Sequence, residues 1–336
     1  MPELRRDPVV ERWVVIAPER SNRPRDDAGG DAVLRGDPAL CPFCPGNESR
    51  TTREVHADRP AGSVADDSAW TLRIVTNKFP ALVAEGDPAP RSEGMHERMD
   101  AVGAHEVVIE GRDHAAEWSE LSPDAAERTL FAFRALMRAH AADPRVLHVQ
   151  AFKNHGPSAG ASLEHGHAQI IATPIVPMTV REELAGAERH WRRSGACVYC
   201  ELVAGERRDG RRVVLDAEGF LAVAAYAPRV PFETWVLPAE HRASFEESDD
   251  ASLRSFARVL RETVARMRRA LGRPDYNYLL HSAPCRERGL RHYHWHVEIF
   301  PRPRTEPAGR FEWGTGIHIV TTPPEEAART LREARL

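Results

Sequence analysis

The sequence predicts an α+β fold of two similar halves, in which a mainly antiparallel sheet is flanked by helices. Glu106-Val107-Val108-Ile109 and Glu233-Thr234-Trp235-Val236 are both strand-like, and each has a histidine eight residues after its first Glu. His165-x-His167-x-Gln169 recurs as His294-x-His296-x-Glu298. The two recurrences are offset by 127 and 129 residues. Motifs repeated at a nearly constant interval indicate an internal duplication.

Each half has the same predicted order of strands and one long helix. Strands are expected at β-branched or alternating runs that end at Pro, Gly or Asn, namely residues 12–16, 70–75, 105–109, 146–152 and 168–172. Ser122 and Pro123 begin the first helix as N-cap and first helical residue. An equivalent helix begins near Asp250 and ends before Gly272, and a third, over residues 179–193, connects the halves. Polar residues predict loops, including residues 86–99.

Composition limits the class of protein. The 336 residues, of which 42% are hydrophobic, are enough for two domains, which we place at residues 1–177 and 178–336. The net charge of -4 argues against an extended nucleic-acid surface. No apolar run approaches the roughly 18 residues of a membrane helix, and the N-terminus lacks the apolar core of a signal peptide. We therefore expect a cytoplasmic protein without a nucleic-acid or membrane partner.

Four of the five cysteines form two Cys-x-x-Cys pairs, Cys41 with Cys44 and Cys197 with Cys200. In a reducing compartment such pairs are more typical of metal thiolates than of disulfides. Histidines accompany both pairs in the chain, so each pair could complete a tetrahedral zinc site of two thiols and two imidazoles. Redox use of the pairs is the alternative.

His165 and His167 are two residues apart in a strand-like stretch, so their rings should share a face. One imidazole can then be held by a metal or a hydrogen bond, while the other is presented unprotonated to an electrophile such as phosphorus. The alternative is that both histidines are simply polar side chains on the solvent-exposed face of an edge strand.

Residues 160–169, Gly-Ala-Ser-Leu-Glu-His-Gly-His-Ala-Gln, resemble the active-site signature G-x-S-x-x-H-P-H-x-Q of the galactose-1-phosphate uridylyltransferase family, part of the histidine-triad superfamily. The resemblance spans nearly the whole chain, with similar motifs at residues 12–14, 20–24, 76–79 and 154–162. It implies two histidine-triad-like halves that each form a half-barrel. The first half would hold zinc and a nucleophile, and the second half another metal site.

The resemblance implies that His167 attacks the α-phosphorus of a nucleotide sugar, oriented by a backbone carbonyl near His165 or Gly166. Gln169 would bond the phosphoryl oxygens and Ser162 the departing phosphate, and a sugar 1-phosphate would then take the nucleotide in a ping-pong reaction. Related hydrolases carry a third histidine at the position of Gln169, so this residue favours transfer. The expected reaction is UDP-glucose with galactose 1-phosphate. The alternatives are a phosphorylase of ADP-glucose or another nucleotide sugar that uses inorganic phosphate, and a non-catalytic zinc-stabilised binding protein.

The resemblance also assigns metal ligands and substrate contacts. The structural zinc ligands would be Cys41, Cys44, His114 and His165. By the internal repeat, a second zinc site would consist of Cys197, Cys200, His241 and His294. Alternatively, iron would be held by Glu182 or Glu183 with His281, His294 and His296, or the second site would hold no metal. The substrate contacts would be Arg20, Arg23, Asn77, Asn154, Gly160 and Arg310, in a homodimer with shared sites.

Two departures from the family pattern bear on the substrate. Gly166 replaces the proline between the histidines, and residues 314–319 lack the glutamine that contacts the hexose in the uridylyltransferases.

Overall fold

The structure, a computed structural model, describes residues 2–19, 36–302 and 310–334. The strands of these residues are β1 (Glu3–Arg6), β2 (Trp13–Ile16), β3 (Glu54–Asp58), β4 (Leu72–Thr76), β5 (Arg91–Glu93), β6 (His96–Arg98), β7 (Ala104–Ile109), β8 (His148–His155), β9 (His167–Thr173), β10 (Val213–Ala217), β11 (Phe220–Ala224), β12 (Thr234–Pro238), β13 (Asp275–His281), β14 (His296–Arg302) and β15 (His318–Val320). The helices are α1 (Pro123–Ala141), α2 (Met178–Ser194), α3 (Val198–Asp209), α4 (Asp250–Ala270), α5 (Arg310–Thr315) and α6 (Pro324–Glu333).

Ten strands form one antiparallel sheet in the order β10-β11-β12-β14-β13-β8-β9-β7-β4-β3. The order of the second five mirrors that of the first five, and β13 pairs with β8 at the centre. This mirrored order is what an internal duplication produces. The predicted α+β fold with a mainly antiparallel sheet is confirmed. The division into domains at residue 177 stays a prediction, because the sheet runs through both halves.

Helices α1 and α4 occupy equivalent places in the two halves and pack against each other over one face of the sheet. The Ser122 side chain accepts a hydrogen bond from the Ala125 N–H, and that of Asp249 accepts one from the Ser252 N–H, so each helix begins at an N-cap. Their apolar sides join the sheet in the main hydrophobic core. This face of the sheet is therefore closed.

The opposite face is covered differently in the two halves. Apolar residues of α2 and α3 pack on the second half, where Trp235 of β12 stacks on His296 at 5.3 Å. In the first half Val107 of β7 is the counterpart of Trp235, because Val107 pairs with Gln169 as Trp235 pairs with Glu298. Because valine is smaller than tryptophan, a cavity remains on this face of the sheet over β7 and β9.

The predicted strands and helices are present close to their predicted bounds, and the structure differs from the prediction elsewhere. His165 precedes β9 and does not lie in it, and residues 86–99, predicted as loop, contain the hairpin of β5 and β6. Helices α3, α5 and α6 were not predicted. No helix in the described ranges combines the length and apolar character needed to cross a lipid bilayer.

Candidate active site and metal centres

His167 is the first residue of β9 and is held by its neighbours in the chain. Its Nδ1 lies 2.7 Å from the carbonyl oxygen of His165. A carbonyl can only accept, so Nδ1 carries the proton and Nε2 keeps its lone pair. Burial, with a smaller contribution from the Lys153 ammonium, lowers the pKa of His167 to about 4, although the bond to His165 opposes this shift. The ring is therefore neutral near pH 7, as a nucleophile must be.

A cavity of about 320 Å³ opens at His167. Its polar lining includes Gln169, Ser162 and Asn77, and its apolar lining includes Phe43 and Val107. The polar end can bind a phosphoryl group beside the imidazole, and the apolar wall suits a flat ring. Such a combination of a largely apolar pocket with a few convergent polar groups is typical of a ligand site.

The other predicted substrate contacts are not brought to this cavity within the described ranges. The Asn154 Oδ1 accepts a hydrogen bond from Asn277 at 2.8 Å, and Gly160, with φ 87°, ends a short turn. Arg20 and Arg23 lie outside the described residues. Arg310 is the first residue of α5, and its side chain also lies outside the description.

The first predicted metal-ligand set comes together, with ligand atoms within 4.8 Å of one another: Cys41, Cys44, His114 and His165. The Cys44 sulfur is 3.2 Å from Nδ1 of His114 and 3.4 Å from Nδ1 of His165. A tetrahedral zinc separates sulfur and nitrogen ligands by about 3.5 Å. The other ring nitrogen of His165 lies 2.9 Å from the Gly111 carbonyl oxygen, which fixes Nδ1 as the metal-facing atom. The residues fit zinc.

The second predicted set has the same arrangement: Cys197, Cys200, His241 and His294. The Cys200 sulfur is 3.4 Å from Nδ1 of His241 and 3.7 Å from Nδ1 of His294. Their other ring nitrogens lie 2.9 Å from the carbonyl oxygens of Leu290 and Pro238. These second contacts are the orienting bonds that metal-bound imidazoles usually make.

The alternative iron ligands are split between two clusters. Glu183, His281 and His296 lie together and are buried, whereas His294 belongs to the thiol cluster and Glu182 is exposed. His281 lies between two carboxylates, 2.9 Å from Glu183 and 3.2 Å from Glu298. Burial opposes its charge, but these carboxylates raise its pKa to about 10. The positive charge of His281 therefore balances part of the negative charge of Glu183 and Glu298.

Three residues around His167 and Gln169 are not among the site residues that the sequence analysis names. Lys153 and Glu110 form an ion pair that is almost fully buried, and the Lys153 ammonium donates to the His167 carbonyl oxygen at 3.1 Å. His105 of β7 lies 2.8 Å from the Gln169 side-chain oxygen. The sequence signal for His105 is the alternation along residues 105–109, which places His105 and Val107 on the same face. Lys153 is one of only two lysines in the chain, which is a weaker signal.

The structure gives a reason for glycine at position 166. A Cβ there would lie 2.5 Å from the carbonyl oxygen of Ala116 and 3.3 Å from a carboxylate oxygen of Glu110. Real Cβ atoms do not approach a backbone oxygen this closely, so the chain would have to move.

Gly166→Ala is therefore expected to lower the free energy of unfolding by about 1–3 kcal/mol, measured by urea denaturation. Gly205→Ala in α3 is the matched control, because a Cβ there meets no atom within 4 Å. It should leave stability unchanged or raise it slightly, since alanine is the better helix former. Equal stability of the two variants would contradict the predicted clash.

Comparison with known proteins gives a consistent result over the whole chain. Residues 1–177 match the family model for the N-terminal domain of galactose-1-phosphate uridyl transferase. ADP-glucose phosphorylase of Arabidopsis thaliana is 33% identical, over 100% of this chain and 93% of the relative. Galactose-1-phosphate uridylyltransferase of Thermotoga maritima is 26% identical, over 100% of this chain and 99% of the relative. The crystal structure of the Arabidopsis thaliana ADP-glucose phosphorylase with bound ADP-glucose matches with a TM-score of 0.85 and 31% identity, over 100% of both chains.

Proposed function

Because the chain belongs to the galactose-1-phosphate uridylyltransferase family, we propose that it transfers a nucleoside monophosphate from a nucleotide sugar to a phosphate acceptor through a covalent nucleotidyl-His167. The observation that carries this proposal is the orientation of the His167 ring. Its Nδ1–H is bound to the His165 carbonyl, and its Nε2 lone pair is at the cavity that Gln169 and Ser162 line.

In the first step Nε2 of His167 attacks the α-phosphorus, so that a P–N bond forms and the P–O bond to the leaving sugar 1-phosphate breaks. The substituted ring is positively charged, and its Nδ1–H bond to the His165 carbonyl stabilises that charge. In the second step an oxygen of the acceptor phosphate attacks the same phosphorus and the P–N bond breaks. The ring returns to the neutral form with its Nδ1 proton in place.

Two donor and acceptor pairs agree with the family. ADP-glucose with inorganic phosphate is supported by the 33% identity to the Arabidopsis thaliana ADP-glucose phosphorylase and by the missing hexose-contacting glutamine. UDP-glucose with galactose 1-phosphate is the expected reaction of the uridylyltransferases, and it is supported at 26% identity. We propose the phosphorylase reaction as the first candidate and the uridylyltransferase reaction as the second.

We further propose that each of the two sets of two cysteines and two histidines binds one zinc ion in a structural role. All four protein ligands are present in each group, so neither site keeps an open position for substrate. The thiols of Cys197 and Cys200 favour zinc over iron at the second site, and iron at Glu183, His281 and His296 stays the alternative. The homodimer and the substrate contacts of Arg20, Arg23 and Arg310 stay predictions from the resemblance, and the cytoplasmic location stays a prediction from the composition.

The test is to incubate the protein with ADP-glucose or UDP-glucose without an acceptor and to measure its intact mass. We expect an added AMP that acid removes and inorganic phosphate discharges. An added UMP discharged by galactose 1-phosphate would support the second candidate. Absence of any adduct with either donor would contradict the proposed covalent mechanism.

A further inference from the structure

His105 lies next to Gln169 on the adjacent strand β7, and it is not among the residues that line the cavity. Strand β7 pairs with β9 so that Val107 is opposite Gln169, and His105, two residues earlier, is on the same face. Its Nε2 lies 2.8 Å from Gln169 Oε1 and 3.1 Å from Asn77 Nδ2, and its Nδ1 lies 3.2 Å from the backbone nitrogen of Ala81. The ring thus touches two amides that line the cavity.

The backbone determines the tautomer of this ring. A backbone N–H can only donate a hydrogen bond, so the contact with the Ala81 N–H requires a lone pair on His105 Nδ1. The ring proton of neutral His105 is therefore on Nε2. The Phe79 N–H donates to Asn77 Oδ1 at 2.8 Å, so the Asn77 atom nearest the ring is its nitrogen, also a donor. The acceptor left for the Nε2 proton is the oxygen of Gln169.

We propose that His105 is a positioning residue for the nucleotidyl transfer, which fixes the Gln169 carboxamide with its oxygen toward β7 and both amide hydrogens toward the phosphoryl group. This inference rests on the proposed function, because it concerns the same site. Without His105 the carboxamide could turn over and present its oxygen to the phosphoryl oxygens. Two acceptors would then face each other, and the stabilisation of charge in the transition state would be lost.

The matched substitutions are His105→Leu and His105→Gln. Leucine cannot donate to Gln169, whereas a glutamine can offer its oxygen to the Ala81 N–H and its amide to Gln169. We expect His105→Leu to slow adduct formation in a single turnover by about 10-fold to 100-fold, with the KM for the nucleotide sugar changed far less. His105→Gln should recover most of the rate. Zinc content and the thermal midpoint should be the same in both variants.

A double-mutant cycle with Gln169→Ala separates positioning from general damage. If His105 acts through Gln169, His105→Leu should slow the Gln169→Ala protein by less than about 2-fold. An equal loss of rate in the two backgrounds would overturn the proposal, and so would failure of His105→Gln to recover activity. These rates are compared with a wild-type protein that forms the adduct. A wild type that forms none would instead contradict the proposed function, and with it this role.

Discussion

His167→Gly is expected to abolish the nucleotidyl adduct and to lower turnover by at least about 10⁴-fold, because no other group supplies the attacking lone pair. The variant should keep its zinc, because His167 belongs to neither of the two sets of two cysteines and two histidines. Intact mass after incubation with ADP-glucose or UDP-glucose measures the adduct, and elemental analysis measures the metal. A variant that retains full activity would refute His167 as the nucleophile.

The control for this substitution is His296→Gly in the second half. His296 begins β14 as His167 begins β9, and its Nδ1 lies 3.1 Å from the His294 carbonyl oxygen. Its ring, however, is fully buried and stacks on Trp235 and His281. We expect His296→Gly to cost stability by leaving a cavity while the folded fraction still forms the adduct. Loss of the adduct from properly folded His296→Gly would mean that both halves take part in the chemistry.

Cys44→Ser is expected to have the largest effect on stability. It removes the sulfur that faces both imidazoles of the first group, so the protein should lose one zinc and about 3 kcal/mol or more of unfolding free energy. His165 orients His167 through its carbonyl, so activity should fall as well. Elemental analysis and chemical denaturation, with and without a chelator, measure these effects.

Cys285→Ala is the matched control for the thiol substitution. Cys285 is buried, yet it belongs to neither group of potential ligands among the described residues. This variant should keep its full zinc content and lose little stability. An unchanged zinc content in Cys44→Ser would show that the first group does not hold the metal.

The parts of the site that could be predicted are those that short motifs encode. Two residues separate the thiols of each pair and one separates His165 from His167, so local chain geometry keeps the two thiols of each pair close together and His167 close to His165. The contact of His105 with Gln169 and the pair of Glu110 with Lys153 depend on the register of strands far apart in sequence. Such contacts cannot be derived from a single sequence without the pairing of the sheet.

The fold was predicted for a similar reason. Alternation marked the strands, and the N-cap at Ser122 and the helical run that begins near Asp250 marked the two long helices, because each signal is local. Helix α3 was missed because its buried residues, among them Tyr199 and Val203, are few and stand among charged residues. Packing against the sheet, and not intrinsic preference, stabilises this helix.

The exchange of Val107 for Trp235 between the two halves has an evolutionary consequence. An open pocket lacks the packing contacts that would fill it, so the first half forgoes those contacts to keep space beside His167. In the second half Trp235 stacks on His296 and supplies such contacts. If the two halves descend from one duplicated unit, stability and substrate binding are therefore divided between them. We expect truncation of Trp235 to cost more stability than truncation of residues at the rim of the pocket.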